Sequence, residues 1–134
     1  MNTTDKLFKL ASQARQNAYA PYSQFAVGTA ILSTKGNFYC GCNVENISYP
    51  CGSCAEQGAI SAMIAGGDTE IAEILIIADT KELISPCGAC RQRIKEFAIP
   101  QTTVTICNLQ GQHRQYTIEQ LLPDGFAAKE VQHD

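Results

Sequence analysis

No stretch of this chain stays apolar for long. The longest uninterrupted run, Ile74 to Ala78, has five residues, where a membrane helix needs about 20, so no span is expected. The first twenty residues carry Asp5, Lys6, Lys9 and Arg15 and have no apolar core, so no secretory leader is expected either. Positive charge is scarce: 10 Lys and Arg stand against 13 Asp and Glu, a net charge of −3. A nucleic-acid polymer or an anionic membrane calls for a basic face, and no Lys/Arg cluster supplies one. Only His113 and His133 represent histidine, neither at ligand spacing, and both read as solvated. Internal repeats, low-complexity segments and linkers are also missing. What remains is one domain over residues 1–134, with a loose polar tail over 128–134. At 134 residues and 45% apolar, the chain can bury roughly two-thirds of its unfolded surface.

Cysteine, in contrast, is plentiful, with seven in all. An odd number, in a chain long enough to build its own core, reads as reduced thiols in a cytoplasmic protein rather than a disulfide scaffold.

Apolar spacing predicts a helix over residues 4–18, with Leu7, Leu10, Ala11, Ala14 and Ala18 on one face and Thr4 as its cap. Phe25 to Ser33 and Phe38 to Val44 read as a hairpin around Thr34-Lys35-Gly36-Asn37, and residues 45–52 as a loop. Ser53 opens a second helix stopped by Gly66-Gly67, whose small residues suggest packing on all sides. Ile71 to Ala78 has the near-continuous apolar character of a strand covered on both faces. A third helix begins at Ser85-Pro86, with Pro in the first helical position, and ends by Ala98, before Pro100. Thr102 to Cys107 reads as a strand and His113 to Tyr116 as a short final one. Thr117 to Leu122 reads as a helix with a Thr-x-x-Gln capping box. The order implies an α/β fold: a three-layer sandwich with one mixed sheet of about five strands and helices on both faces.

Three cysteines fall at helix starts. Cys54 follows Ser53, while Cys87 and Cys90, three apart on one face, follow Pro86. Helix N-termini present free N–H groups and partial positive charge, which favour the thiolate, the form that binds metal. Two such ends meeting would hold three thiolates around one zinc ion and leave a fourth position open, as in catalytic zinc sites. Glu56, two residues after Cys54, is placed to serve a bound water. Cys-x-Glu followed by Pro-Cys-x-x-Cys is close to the zinc-deaminase pattern.

Further segments carry the same likeness: Phe25-Ala26-Val27-Gly28, Gly41-Cys42-Asn43-Val44-Glu45-Asn46, Ser85 through Gln92, and Leu121-Leu122-Pro123 followed by Phe126. In register over residues 20 to 126, they make the chain resemble the small, homotetrameric, three-cysteine cytidine deaminases. The resemblance implies that Cys54, Cys87 and Cys90 bind zinc, that water attacks C4 of cytosine, and that Glu56 moves the protons. It also implies that Asn43 and Glu45 contact the ribose, Phe25 packs on the pyrimidine and the Ala55 backbone meets ring atoms. Tyr49 and Phe126 would reach a neighbouring subunit's pocket, so active sites would be shared in a homotetramer. The expected activity is deamination of cytidine and 2′-deoxycytidine in pyrimidine salvage, on a nucleoside and not a nucleic-acid polymer.

One departure stands out. The family usually has Arg after the catalytic Glu, and this chain has Gln57, which carries no charge to offset three thiolates. Arg91 is the expected partial substitute.

Other readings of the same residues stay open at this level. Ser53-x-x-Glu56 is also a capping box. Cys51-Gly52-Ser53-Cys54 and Cys87-Gly88-Ala89-Cys90 could form a closed, non-catalytic four-sulfur site, although the 32 residues between Cys54 and Cys87 exceed the ~15–20 typical of that pattern. A redox Cys-x-x-Cys pair and a deaminase of another cytosine-bearing small molecule, such as a nucleoside antibiotic, are the remaining alternatives. Cys40, Cys42 and Cys107 lie in expected strands and read as packing thiols.

Overall fold

A computed structural model describes residues 1–128. Apart from Ala128, the expected loose tail lies outside the described residues, as does His133. The chain runs α1 (Thr3–Gln16), β1 (Val27–Ser33), β2 (Phe38–Cys42), a 3-10 turn (Tyr49–Cys51), α2 (Ala55–Ala65), β3 (Ile71–Ala78), α3 (Gly88–Phe97), β4 (Ala98–Asn108), β5 (His113–Thr117) and α4 (Ile118–Leu121). The five strands form one mixed sheet in the order β2-β1-β3-β4-β5. β3 and β4 are parallel and the other pairings antiparallel.

Alternation along the central strands sets the layers. Ile74 and Ile76 point to one face, where Ala59, Ile60 and Met63 of α2, Ile94 of α3, and Ile118 and Leu121 of α4 close over them. Leu75 and Ile77 point to the other face, against Leu7 and Ala11 of α1. Each such isoleucine or leucine, fully buried, contributes about 1.5–3 kcal/mol. The expected three-layer α/β architecture is therefore present. β3 has the predicted bounds because it is central and covered on both sides.

The details differ where local chemistry decides the ends. Asn2, not Thr4, caps α1, its Oδ1 accepting from Asp5 N at 2.8 Å. The first strand begins at Val27, two residues later than expected. The helix starts also shift: Cys54 and Cys87 are themselves the N-caps, so Ser53 is not a capping-box residue and Pro86 precedes its helix. α2 is not enclosed on all sides, since Ser61, Ile64 and Ala65 face solvent. β4 begins at Ala98, earlier than expected. α4 does carry the Thr117/Gln120 capping box. Of the three supposed packing thiols, Cys107 is buried, Cys42 is half-buried and Cys40 is exposed, because β2 is an edge strand.

β2 and β3 both run antiparallel to β1 and are therefore parallel to each other. α2 follows β2 and α3 follows β3, so both helices begin at the same edge of the sheet, on the same face. That edge, at the carboxyl ends of parallel strands, is where ligand sites form in such folds.

Candidate metal and substrate site

Cys54 and Cys87 occupy the N-cap positions of α2 and α3 in extended conformation, and neither side chain bonds to its own helix. A Ser or Asp there would spend its oxygen on a helix N–H. The backbone does the helix's work instead: Cys54 O accepts from Gly58 N at 3.1 Å and Cys87 O from Arg91 N at 3.0 Å. Cys90 sits in the first turn of α3, fully buried. The three thiol sulfurs all lie within 4.8 Å of one another.

Among the described residues, this is the one group of three or more His, Cys, Asp or Glu side chains arranged to hold a metal ion. Burial, the Glu56 charge and Cys54 all push the Cys90 thiol up, so its thiolate needs a cation close by. Three soft sulfur donors at this spacing fit zinc and leave one tetrahedral position free. Cys51 stands apart from the cluster: it is exposed and its Sγ donates to Ser48 Oγ at 3.5 Å. The four-sulfur closed site therefore has no fourth member.

Glu56 lies in the first turn of α2 and is 6% exposed. Burial raises its carboxyl above the ordinary carboxylate range, against the opposing pull of its own backbone N–H, Cys90 and Arg93. A carboxyl poised to take and return a proton is what an acid/base group requires.

A pocket of ≈ 650 Å³ opens onto the cluster. Cys54, Cys87, Cys90 and Glu56 line it, and so do Phe25, Asn43, Glu45, Tyr49 and Ala55. These expected site residues come from four separate segments of the chain. Phe126 does not join them; it is 59% exposed, and its carbonyl accepts from Gln92 Nε2 at 2.9 Å.

The polar lining is held in place from behind. Glu45 accepts from Tyr22 N at 3.0 Å, Ser23 N at 3.1 Å and the Ser23 hydroxyl. These bonds, led by the Ser23 hydroxyl, hold its carboxyl below the ordinary range, so it is a fixed anion at the pocket wall. Asn43 bridges the loop to β1: Oδ1 accepts from Val27 N at 2.9 Å and Nδ2 donates to Phe25 O at 2.8 Å. One N–H and one lone pair of its amide remain for a ligand.

The two positions expected to adjust the metal's charge fare differently. Gln57 makes no hydrogen bond to the sulfurs. Arg91 is turned away from them: Nε donates to Pro86 O at 2.8 Å, Nη1 to Leu121 O at 2.8 Å and Nη2 to Ser85 Oγ at 2.6 Å. It clamps the approach to α3 against α4. The guanidinium that meets the cluster is that of Arg93, whose Nη1 donates to Cys90 Sγ at 3.5 Å. The spacing Cys90-x-x-Arg93 places both on one helical face, a signal available in the sequence but overshadowed by the adjacent Arg91. Tyr22, Ser23 and Ile84 also line the pocket and carry no motif that would announce them.

Residues 1–106 match the family described as the cytidine and deoxycytidylate deaminase zinc-binding region. The chain is 42% identical over 125 residues to the cytidine deaminase of Halalkalibacterium halodurans, covering 93% of this chain and 95% of that one. Its structure is similar to the crystal structure of cytidine deaminase from Burkholderia pseudomallei, with TM-score 0.88, 41% identity and coverage of 94% and 100%. It is also similar to that of the Mycobacterium tuberculosis cytidine deaminase, with TM-score 0.81, 33% identity and coverage of 94% and 98%.

Proposed function

The chain belongs to the cytidine and deoxycytidylate deaminase family, and from that premise we propose that it hydrolyses cytidine and 2′-deoxycytidine to the uridine products and ammonia in pyrimidine salvage. The observation that carries this reading is the convergence of Cys54, Cys87 and Cys90 with the buried carboxyl of Glu56 on one pocket.

Cys54, Cys87 and Cys90 would hold the zinc ion. Bound there, zinc supplies Lewis acidity that brings the pKa of water toward about 7. Glu56 accepts the proton given up by the attacking water and delivers it to ring N3, then takes the proton of the new C4 hydroxyl and passes it to the departing 4-amino group. Atoms balance as nucleoside plus water going to the 4-oxo product plus ammonia. Phe25 packs on the base, the Ala55 backbone meets its polar edge, and Asn43 and Glu45 take the sugar hydroxyls.

The anionic Glu45 separates substrate classes. A carboxylate is a good acceptor for a neutral hydroxyl and repels a phosphate, which favours nucleosides over nucleotides. Tyr49, 73% exposed, lines the pocket, and Phe126, 59% exposed, is a second aromatic ring left open on the surface. This supports a homotetramer in which neighbours complete each other's sites. Seven free cysteines suit a reducing cytoplasm, and among the described residues no helix is long and apolar enough to cross a membrane. The 134 residues act as one domain.

Ultraviolet assays with cytidine, 2′-deoxycytidine and cytidine 5′-monophosphate test the reading. Turnover of both nucleosides, with the monophosphate at least tenfold slower, supports it; no turnover of either nucleoside overturns it. Light scattering on the same sample is expected to give four chains, and a monomer that turns over cytidine would rule out shared sites.

A further inference from the structure

Three thiolates around one divalent cation sum to a net charge of −1. That charge is most confined at Cys90, which is fully buried beside the nearly buried Glu56, whereas Cys54 is half-buried and Cys87 exposed. An uncompensated buried charge is costly, and this one also opposes a second anion on Glu56. Gln57, beside Glu56, brings no charge. Arg91 has committed all three guanidinium nitrogens to Pro86, Leu121 and Ser85. Arg93, half-buried on the same face of α3 as Cys90, has not: its Nη1 reaches Cys90 Sγ at 3.5 Å. Among the described residues it is the one basic side chain bonded to a sulfur of the cluster. Because the three sulfurs all lie within 4.8 Å of one another, a guanidinium bonded to one of them stands beside the whole cluster.

We propose that Arg93 is the charge-compensating positioning residue of the metal centre, supplying from α3 the positive charge that Gln57 cannot supply from α2. The inference rests on the zinc-site reading above. With Arg93 in place, the three thiolates, the zinc ion and the guanidinium sum to zero. The charge-assisted N–H···S bond also fixes the Cys90 sulfur toward its two partners, a role in which outer partners of metal ligands typically matter 10–100-fold.

The test follows zinc release from the zinc-loaded protein to a chromogenic chelator at neutral pH, with folding checked by circular dichroism. Arg93→Met is expected to release zinc at least about tenfold faster than wild type. Arg93→Lys, which keeps the charge and loses the planar fork, should fall between the two. Adding Gln57→Arg to Arg93→Met should slow release back toward wild type, which a mere packing role for Arg93 would not allow. If Arg93→Met does not fold, Arg93→Gln carries the same comparison. Release from the neutral variant at the wild-type rate, or a double variant no slower than Arg93→Met, overturns the proposal. A wild type that fails to hold one zinc per chain overturns the zinc-site reading itself, so the two failures are distinguishable.

Discussion

Asn43 holds Phe25 by its backbone: the side-chain amide donates to the Phe25 carbonyl at 2.8 Å while its oxygen accepts from Val27 N at 2.9 Å. The residue proposed to touch the sugar thus also positions the one proposed to touch the base. Asn43→Ala removes both bonds and a ligand contact together. At about 1 kcal/mol for each bond, KM for cytidine is expected to rise tenfold or more, with kcat falling less because Glu56 and the cysteines are untouched. Steady-state kinetics check this split, and an unchanged KM would contradict it.

Gly41 is where β2 passes under α2. A Cβ there would stand 2.4 Å from Ala59 N and 2.8 Å from Ala55 O, and backbone atoms cannot swing aside. Gly41→Ala is therefore expected to lift the helix that bears Cys54 and Glu56, costing about 3 kcal/mol and most of the activity. Gly58 faces the same contact from α2, but its added Cβ would meet Cys42 O at 3.5 Å, an ordinary contact. Gly58→Ala should be neutral or stabilising by up to about 1 kcal/mol, since it removes a glycine from a helix. Thermal melts of the two variants make the comparison.

The parts of the fold that could be read in advance are those where burial is decisive. β3 has its predicted bounds because both of its faces are covered, and Cys54, Cys87 and Cys90 meet because two helices start at one sheet edge. Ends set by single hydrogen bonds were less legible. Asn2 outcompetes Thr4 as a cap, and Cys54 and Cys87 take the cap positions, one residue beyond Ser53, expected to open α2, and Pro86, expected as the first helical residue of α3. Side-chain direction was least legible. Spacing puts Arg93 on the face of Cys90, but only a folded α4 shows that Arg91 is drawn away to the Leu121 carbonyl. Cys40 reads as a packing thiol until the sheet order puts β2 at an edge.

Asp68 anchors the hairpin away from the pocket. It accepts from Ser33 Oγ at 2.7 Å, Asn37 Nδ2 at 2.9 Å and Tyr39 OH at 2.8 Å. These bonds, the Asn37 one foremost, hold its carboxyl below the ordinary 3.8. A carboxyl lowered by folding stabilises the fold fully above its unfolded value and loses that contribution as pH falls through the lower folded value. Asp68→Asn should melt several degrees below wild type near neutrality, with the gap closing below about pH 4. A gap that persists undiminished in acid would show that the charge is not what matters.

Cys51 tests the boundary of the metal centre. Exposed and bonded to Ser48, it is expected to be replaceable: Cys51→Ser should keep one zinc per chain and wild-type turnover within about twofold. Zinc-edge X-ray absorption should report three sulfurs and one lighter atom in wild type and variant alike. Four sulfurs in wild type would mean a closed site.

The most direct measurement is the loss of cytidine absorbance in the ultraviolet by zinc-loaded wild type and Glu56→Gln side by side, with metal content measured on both. Glu56 is placed as the proton carrier and not as a ligand. The variant should keep its zinc while kcat falls by about 10²–10⁴-fold. Turnover by Glu56→Gln at the wild-type rate, or none by the wild type itself, would contradict the assignment.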